Sequence, residues 1–346
     1  MSGQPQIVAA DKRPMEARLV ASLPQEEGWQ FEPKWDGFRA LAMRAGDAID
    51  LRSKSGKSLA RYFPEILAML RSLPTTRFVL DGELILPIGR TLSFDALQQR
   101  LHPAASRIAK LARETPAQLM LFDCLLAGAR DLADAPLSER RAALEAFYAD
   151  NHHRSLLLSP RTTDAIRAQD WLKRSGGALD GIVAKRLTEP YRWGERAMLK
   201  LKRHRSADCV VGGFRRTDDG EAASLLLGLY NDAGALDHVG FTSAIADADR
   251  AAITARLEKH VGGSGFTGKA PGGPSRWSNG RDKPWEPLAP VLVAEVRYDQ
   301  VTGQRFRHGT RFLRWRPDKA PEQCTMEQLH QELRPADIEG VLDQAS

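Results

Sequence analysis

A lysine at position 34 stands in the stretch FEPKWDGFRAL, where proline and tryptophan flank it and an acid, a glycine and an arginine follow within five positions. An ordinary lysine has a pKa of about 10.4 and carries a proton at neutral pH. It becomes a nucleophile only where neighbouring cations or partial burial help it to lose that proton. We therefore interpret Lys34 as a candidate nucleophile. The alternative is a surface lysine beside a turn glycine.

Two pairs of like charges lie at alternate positions of predicted strands. In FVLDGELIL, the leucines lie on one face of the strand and Asp81 and Glu83 on the other. In MLKLKR, Lys200 and Lys202 likewise share the face opposite the leucines. Two carboxylates can bind a divalent cation, and two ammonium groups can meet one phosphate. Each pattern alone is also typical of a solvated strand face.

These charges predict one chemistry when they are combined with Lys34. Lys200, Lys202 and Arg39 can supply the cations that lower the pKa of Lys34, and the same groups can hold a phosphate for its attack. A divalent metal bound by carboxylates would neutralise the charge that builds up on the phosphoryl oxygens. The sequence thus predicts that one set of residues both binds the substrate and activates the nucleophile.

The elements that must position these residues change in character near residue 205. The chain has 346 residues, more than one hydrophobic core usually covers, so we expect two domains. Short apolar strands alternate with helical patterns at first, which predicts an α+β domain over 1–204 with a largely antiparallel sheet. Strands then dominate, with one helix and a glycine-rich loop at 262–275. This pattern predicts an oligonucleotide-binding-fold β-barrel of about five strands over 205–346, with a short C-terminal extension.

The composition is that of a soluble globular protein and bears on its location and its partners. The chain is 42% hydrophobic and 27% charged, which is typical of soluble globular proteins. It has no apolar run long enough to cross a membrane and no N-terminal signal segment. The three cysteines lack metal-ligand spacing, so we expect a reducing cytoplasm. The net charge of +6 favours an anionic partner, although many proteins with such a charge bind none.

The ordered motifs of the chain resemble those of a known superfamily. KWDGFR resembles motif I, Lys-x-Asp-Gly-x-Arg, of the covalent nucleotidyltransferases, which comprise ATP-dependent DNA ligases, RNA ligases and mRNA capping enzymes. The other matches follow in family order: DGE at 81–83 (motif III), LFD at 121–123 (IIIa), DGIVAK at 180–185 (IV), LKLK at 199–202 (V) and RPDK at 316–319 (VI). The second half is similar to the oligonucleotide-binding domain that carries motif VI. Stretches such as PYRWG look most like bacterial ligases of the ligase C and ligase D type.

The resemblance implies a role for the matching residues. Lys34 would attack the α-phosphate of ATP, expel pyrophosphate and carry AMP covalently. Lys200 and Lys202 would bind the α-phosphate and later the adenylated DNA end. Glu32 would meet the adenine through its backbone, and Phe122 would stack on the base.

Further residues are assigned to the nucleotide by the same resemblance. Arg39, Arg52 and Glu83 would address the ribose and the phosphates. Arg196 would correspond to a nucleotide-contacting arginine upstream of motif V, although its spacing differs. Asp81, beside a glycine in its strand, is either part of the site or purely structural.

Motif IV departs from the usual pattern, because it begins with Asp180 where the family usually has glutamate. The carboxylate is retained on a stem that is one methylene shorter, so we expect Asp180 and Glu83 to bind Mg²⁺ or Mn²⁺ with an altered metal preference. Lys185 follows five residues later. In a regular strand this separation predicts that Lys185 faces away from Asp180.

Motif VI and two basic stretches are expected to act on phosphates. The resemblance implies that a mobile barrel presents Arg316, Asp318 and Lys319 to the β- and γ-phosphates and then turns another face to the duplex. The stretches KLKRHR (200–205) and RFRHGTRFLRWR (305–316) suit a phosphate backbone, which is recognised by charge and shape. The alternative for the second stretch is a strand whose arginines only keep the barrel soluble.

The predicted function is that of an ATP-dependent DNA ligase, which joins a 5′-phosphate to a 3′-hydroxyl at nicks or breaks in double-stranded DNA during repair. An RNA ligase or capping-type nucleotidyltransferase is the nearest alternative, because motifs I to V are shared. A nonenzymatic nucleic-acid-binding protein would explain the charge but not Lys34 and its ordered motifs. We expect ATP as co-substrate, Mg²⁺ or Mn²⁺ as metal, a monomer, and a location in the bacterial cytoplasm at the nucleoid. End-joining or repair proteins are expected as partners, and the motifs single out none of them.

Overall fold

The computed structural model describes residue 8 and residues 11–89, 91–102, 104–174, 179–202, 205–272, 284–307 and 309–330. These residues form two compact units, one that ends at Lys202 and one that comprises the described residues from 205 onward. The last residues of the predicted glycine-rich loop and the predicted C-terminal extension lie outside the described residues. Within the described part of the chain, no helix is long and apolar enough to cross a membrane.

The first unit contains both strands and helices. Its described strands are β1 (Ala17–Val20), β2 (Trp29–Trp35), β3 (Phe38–Ala45), β4 (Ala48–Ser53), β5 (Arg77–Ile85), β6 (Pro87–Ile88), β7 (Thr91–Leu92), β8 (Gln118–Ala127), β9 (Arg130–Asp131), β10 (Leu156–Leu158), β11 (Leu179–Arg186) and β12 (Met198–Lys202). Its described helices are α1 (Pro64–Ser72), α2 (Phe94–Arg100), α3 (Ala105–Glu114), α4 (Leu137–Asp150) and α5 (Ala165–Arg174), with a 3₁₀ turn at Ala60–Tyr62. Proline at the first position of α1 and a serine N-cap, Ser93, on α2 are favourable helix starts.

Two sheets organise the first unit. Sheet A consists of β1, β12, β11 and β2 in that order. Sheet B consists of β10, β8, β5, β3 and β4, with β9 paired to β8. The β1–β12 and β10–β8 pairs are parallel, and the other pairs in these sheets are antiparallel. The prediction of an α+β domain with a largely antiparallel sheet is confirmed.

The apolar faces of the two sheets are covered by helices, and their polar faces are directed towards each other. Sheet B packs its leucines, such as Leu80 and Leu121, in one core with Ile66 of α1 and Leu144 of α4. Sheet A packs Phe31, Ile182 and neighbours against Trp171 of α5. Full burial of such a side chain stabilises the fold by about 1.5–3 kcal/mol. Because strand side chains alternate, the charged residues of both sheets project from the opposite faces.

The second unit is a barrel. Its described strands are β13 (Arg205–Arg216), β14 (Ala222–Tyr230), β15 (Leu236–Ala244), β16 (Glu286–Pro287), β17 (Val293–Tyr298), β18 (Val301–Thr302), β19 (Arg305–Phe306) and β20 (Thr310–Trp315). Its described helices are α6 (Asp247–Glu258) and α7 (Glu327–His330), with a 3₁₀ turn at Pro321–Gln323. The order β14, β15, β20, β17, β13 closes because β13 also pairs with β14, and β16 adds to β13. The predicted oligonucleotide-binding-fold barrel of about five strands is confirmed.

Bulges and a covering helix allow this small barrel to close. The register of β13 against β14 shifts between Val211 and Gly213, and such a bulge bends a strand so that it can pair on both sides. Ile253 and Leu257 of α6 are buried in the same core as the barrel side chains. The second unit therefore has a hydrophobic core of its own.

Candidate active site

A cavity of about 1050 Å³ lies in the first unit and is lined by residues of both sheets. Sheet A contributes Glu32 and Lys34 from β2, Val183 and Lys185 from β11, and Met198 and Lys200 from β12. Sheet B contributes Phe38 and Arg39 from β3, Glu83 from β5 and Phe122 from β8. The volume suits a ligand of nucleotide size, and the mixed charges suit a phosphorylated one.

The position of Lys34 depends on a close approach at Gly37. A Cβ atom at Gly37 would lie 2.1 Å from the carbonyl oxygen of Leu84 and 2.9 Å from Cγ of Glu83, so only glycine fits there. This contact joins the turn after β2 to β5. The glycine of KWDG thereby brings Lys34 of sheet A next to the carboxylate of Glu83 on sheet B, whose charge acts on the lysine.

Lys34 forms an ion pair in the cavity. Its Nζ atom lies 2.6 Å from Oδ2 of Asp180, and Nζ of Lys202 lies 3.9 Å from the same oxygen. Burial has the largest single effect and lowers the pKa of Lys34, but the charge and hydrogen bond of Asp180, together with the charges of Glu83 and Asp36, outweigh it, so the pKa is raised. The expectation that the surroundings lower the pKa of Lys34 is therefore wrong for this structure. The pKa of Lys200 is lowered, by burial and then by the charges of Lys34 and Lys202.

A β-bulge lies at Asp180, which contacts Lys34. Leu179 pairs with Trp35 and Gly181 with Lys34, so Asp180 is an extra residue on β11. Gly181 is required here, because it has φ +156° and a Cβ atom would lie 2.0 Å from the carbonyl oxygen of Leu201. The extra residue shifts the alternation of side chains by one position.

The same bulge corrects the prediction for Lys185. Lys185 lines the cavity and does not face away from the Asp180 side, because the alternation predicted for a regular strand changes at the bulge. Its Nζ atom lies 2.9 Å from Oε2 of Glu32 and 4.9 Å from the centre of the Phe122 ring. Lys185 thus belongs to the site, although the sequence predicted that it faces away from Asp180.

Glu32 contributes its side chain to the cavity wall. The N–H and C=O groups of Phe31 bond to Thr162 on the outer edge of β2. Because successive backbone groups of a strand point in opposite directions, those of Glu32 point to Val183 of β11. The predicted backbone contact of Glu32 with a base stays a prediction, and the structure places the side chain of Glu32 on the cavity wall. The buried carboxylate accepts hydrogen bonds from Lys185 at 2.9 Å and from Gln30 Nε2 at 2.7 Å.

Arg39 is held in the cavity by a buried acid. The Nε and Nη2 atoms of Arg39 donate to the two oxygens of Asp81 at 3.0 and 2.6 Å. The hydroxyl of Tyr191 donates to Asp81 at 2.5 Å and accepts the Met15 N–H at 3.0 Å. Arg39 also lies over the ring of Phe122, with its guanidinium carbon 5.3 Å from the ring centre. Asp81 is fully buried and supports Arg39, which favours the structural alternative for Asp81.

Glu83 is the second carboxylate beside Lys34. Burial raises its pKa to about 8, although the nearby charges of Lys34 and Arg39 act in the opposite direction. Within the described residues, no cluster of three or more His, Cys, Asp or Glu side chains could hold a metal ion. Asp180 and Glu83 nevertheless are hard oxygen donors, and Mg²⁺ commonly uses one or two carboxylates with substrate phosphates and water. The donor chemistry thus fits a metal that binds together with a nucleotide.

Two predicted residues of the first unit, Arg52 and Arg196, lie apart from Lys34 and its ion-pair partners. Arg52 donates to Asp50 at 2.6 Å and to the carbonyl oxygen of Val8 at 3.0 Å, and it does not line the cavity. Arg196 is 76% exposed and lies 4.0 Å from Glu16. The structure therefore does not bring Arg52 or Arg196 to the other site residues.

Sequence reasoning missed cations at another end of the cavity. Lys54 and Lys57 line it together with Arg13, and Arg13 lies against Gly56, where a Cβ atom would be 2.5 Å from its Nη1. Lys54 pairs with Glu16 at 3.0 Å. The signal in the sequence was SKSGKS, in which lysines and serines surround a glycine with φ +80°.

The residues of motif VI form a charge cluster within the second unit. Nη1 of Arg316 lies 2.9 Å from Asp208, and Nζ of Lys319 lies 2.7 Å from the same carboxylate. Nε of Arg316 also donates to Asp318 at 2.9 Å, and this bond lowers the pKa of Asp318 to about 2. Asp208 was not predicted, because nothing in its local sequence marks it as a partner of residues more than a hundred positions away.

The basic stretches are partly engaged in internal contacts. Residues 203 and 204 of the first stretch and residue 308 of the second lie outside the described residues. Arg205 is buried and donates to the carbonyl oxygen of Asp299 at 2.6 Å. Arg305 contacts His238 at 2.7 Å, and Arg314 contacts Glu295 at 2.7 Å, whereas Arg311 is exposed. Only part of these stretches therefore presents charge outward as predicted.

Comparisons with known proteins agree with the motifs. The model of the ATP dependent DNA ligase domain matches residues 14–202, and that of the ATP dependent DNA ligase C terminal region matches residues 218–319. DNA ligase C1 of Mycolicibacterium smegmatis is 46% identical over 343 residues, which cover 96% of this chain and 97% of that protein. DNA ligase C of Mycobacterium tuberculosis is 42% identical over 340 residues, with coverage of 92% and 94%. A solved structure described as a Lig E DNA ligase has a TM-score of 0.51 and 16% identity, covers 87% of this chain and 100% of its own, and shares the fold.

Proposed function

The chain belongs to the family of ATP-dependent DNA ligases, and from this membership we propose that Lys34 is the residue that carries AMP. The chain is an enzyme that uses ATP to seal DNA. The alternatives of an RNA ligase, a capping-type enzyme or a nonenzymatic protein find no support, because both matching models are those of DNA ligases.

One observation carries the assignment of Lys34. Its Nζ atom lies in a large cavity, 2.6 Å from Asp180, with Lys200 and Lys202 on the same face of sheet A. A nucleophile, a carboxylate and two cations for one phosphate are the groups that phosphoryl attack by an amine requires.

The proposed first step is an in-line displacement at the α-phosphorus of ATP. A lone pair on Lys34 Nζ forms the N–P bond, while the bond from phosphorus to the bridging oxygen breaks and pyrophosphate leaves. Lys34 must first give up a proton to solvent, which requires that Oδ2 of Asp180 exchanges its present contact with the amine. Lys200 and Lys202 stabilise the charge on the α-phosphate oxygens in this step and in the later steps on DNA.

The remaining cavity residues suit the base and the ribose. We propose that the ring of Phe122 stacks on adenine, with the Glu32–Lys185 pair beside it. Arg39 is preorganised by Asp81 and would address the ribose and phosphates together with Glu83. Arg52 and Arg196 have no place in this proposal, because Arg52 contacts Asp50 and the Val8 carbonyl oxygen and Arg196 is 76% exposed beside Glu16.

Asp180 and Glu83 are the residues that would hold Mg²⁺ or Mn²⁺. When bound, the ion would neutralise negative charge on the phosphates. Asp180 would have to exchange its contact with Lys34, and this exchange would release the amine from the carboxylate that raises its pKa.

The remaining proposals concern the roles of the two domains, the substrate, the location and the partners. Residues 1–204 would act as the adenylation domain and residues 205–346 as the oligonucleotide-binding domain, with Arg316 and Lys319 directed to the β- and γ-phosphates during adenylation. The substrate would be nicked or broken double-stranded DNA in the cytoplasm, at the nucleoid, and the enzyme would act as a monomer in repair. End-joining or repair proteins would bring it to its substrate.

A labelling experiment tests the role of Lys34. The purified protein is incubated with ATP labelled at the α-phosphate and with Mg²⁺ or Mn²⁺, and covalent label is measured after denaturation. The parent and Lys110→Ala, a control at an exposed lysine of α3, are expected to take up acid-stable, hydroxylamine-labile AMP, and Lys34→Ala is expected to take up none. The labelled parent is then supplied with nicked DNA or nicked RNA. Full labelling of Lys34→Ala would contradict the covalent role of this residue.

A further inference from the structure

Asp208 in the second unit contacts two cations at once. Its two oxygens accept from Nη1 of Arg316 at 2.9 and 3.0 Å, and Oδ2 also accepts from Nζ of Lys319 at 2.7 Å. The carboxylate is only 12% exposed. Two like charges are thereby held as neighbours at one point of the barrel, where they would otherwise repel each other.

The backbone of Asp208 is itself fixed. The side-chain amide of Gln328 accepts from the Asp208 N–H at 3.0 Å and donates to its C=O at 3.0 Å. Gln328 lies on α7, and Asp208 pairs through β13 with Glu295 on β17. Asp208 is therefore held by α7 on one edge of β13 and by β17 on the other. Its carboxylate has a fixed position at which it can bind the two cations.

Asp318 has a different position in the cluster. It also bonds to Arg316, but it is 59% exposed and lies two residues away in the same loop. A contact inside one loop moves with that loop. The side chains of Arg316 and Lys319 both bond to Asp208, which lies on barrel strand β13.

We infer that Asp208 is a positioning residue that orients Arg316 and Lys319 for the pyrophosphate leaving group of ATP. The inference rests on the proposed function of motif VI in the adenylation step. Arg and Lys side chains each lose up to about 2 kcal/mol of rotamer entropy when they are fixed. If Asp208 has already fixed them, a polyphosphate meets two ordered donors and gains more from the contact.

A neighbouring ion pair provides a matched control. Glu295 is the cross-strand partner of Asp208 and holds Arg314 at 2.7 Å. Both carboxylates lie on the same pair of strands and each binds an arginine near the end of β20. They differ in the cation that they hold, because Arg314 is not part of RPDK.

The experiment compares Asp208→Asn, Glu295→Gln, Arg316→Ala and the double variant Asp208→Asn/Arg316→Ala in the full chain. Two rates are measured, AMP labelling of the enzyme over a range of ATP concentrations and closure of a nick that already carries AMP. We expect Asp208→Asn to lower the labelling rate by about 10-fold, the size of a lost charge-assisted contact. Closure of the adenylated nick by Asp208→Asn is expected to change by less than about twofold, because the pyrophosphate is absent from adenylated DNA. Glu295→Gln is expected to label at the parent rate, because its partner Arg314 is not part of motif VI.

The double variant separates positioning from general support of the fold. If Asp208 acts through Arg316, adding Asp208→Asn to Arg316→Ala removes only the contribution that Asp208 makes through Lys319. The loss of labelling rate in the double variant is then much smaller than the product of the two single losses. Parent-rate labelling by Asp208→Asn, equal losses in both assays, or fully additive losses would each overturn the inference. None of these outcomes would contradict the proposed role of Lys34, which is tested by labelling of the parent. Parent-rate labelling by Arg316→Ala would overturn the proposed role of motif VI and the inference with it.

Discussion

Nζ of Lys34 and Oδ2 of Asp180 lie 2.6 Å apart and form a hydrogen-bonded ion pair in the cavity. Burial lowers the pKa of Lys34, but Asp180, with smaller contributions from the charges of Glu83 and Asp36, raises it by more in total. The amine is therefore held as an ammonium group, which has no lone pair for attack on phosphorus. The residue at the start of motif IV thus contacts the nucleophile directly.

Asp180→Ala is expected to abolish sealing, because it removes both the partner of Lys34 and a proposed metal ligand. Asp180→Glu should retain sealing with an altered ratio of Mn²⁺ to Mg²⁺ activity, because the carboxylate is restored on a longer stem. Nick sealing rates are measured over a concentration series of each metal. Asp247→Ala is the control, since that carboxylate is 94% exposed on α6. Sealing by Asp180→Ala at the parent rate with either metal would show that Asp180 is not a metal ligand.

Tyr191→Phe is expected to weaken ATP use through Asp81 and Arg39. The hydroxyl donates to Asp81 at 2.5 Å, and Asp81 in turn orients Arg39. Loss of a bond to a buried charge costs about 1.5–3 kcal/mol, so the ATP concentration for half-maximal labelling should rise by about 10-fold. The ring contact with Trp193 does not require the hydroxyl.

The control for this variant is Tyr148→Phe on α4, which lies on the helical side of sheet B. Both variants are compared by labelling at several ATP concentrations and by urea unfolding. A loss of stability in Tyr191→Phe without any change in the ATP dependence would limit the hydroxyl to a structural role.

The architecture was accessible to sequence reasoning because it follows from alternation and from composition. The leucines of DGELIL and MLKLK lie on the buried faces, and Asp81, Glu83, Lys200 and Lys202 on the opposite ones, as a period of two requires. The five-stranded barrel follows from short strands separated by turns. Local patterns of this kind depend on neighbouring residues alone.

The details of the site depend on features that such patterns do not contain. The bulge at Asp180 adds one residue to β11 and thereby reverses the face predicted for Lys185. Arg52 is drawn to Asp50 and to the Val8 carbonyl, a contact between segments more than forty residues apart. The raised pKa of Lys34 results from the balance between burial and three nearby acids, chiefly Asp180, and this balance depends on three-dimensional distances.

His238→Gln is expected to make the stability of the protein less sensitive to acid. Burial, followed by the charges of Arg305 and Arg215, lowers the pKa of His238 to about 3. Between about pH 6.5 and pH 3 the unfolded chain therefore binds a proton at this residue that the folded chain does not, and stability falls as the pH falls. At pH 5 this loss amounts to about 1–2 kcal/mol.

The free energy of unfolding is measured in urea at pH 7.5, 6 and 5 for the parent, His238→Gln and His152→Gln, a control at an exposed histidine. Glutamine can still accept the bond from Arg305 but does not titrate. His238→Gln should lose less stability between pH 7.5 and pH 5 than the other two proteins. Equal losses in all three would mean that His238 does not remain neutral in the folded state.

Arg316→Ala and Lys319→Ala are expected to separate the adenylation step from the sealing step, because the β- and γ-phosphates that these cations are proposed to meet are absent from adenylated DNA. Labelling of Lys34 should fall by about 10²-fold when one preorganised contact to the leaving group is lost, while closure of an adenylated nick should fall much less. Lys200→Ala is the contrasting variant, since Lys200 lines the cavity of Lys34 and the α-phosphate takes part in every step, so both rates should fall. The two rates are measured side by side on the same preparations. Equal losses in both assays for Arg316→Ala and Lys319→Ala would instead indicate that the cations after β20 chiefly grip DNA.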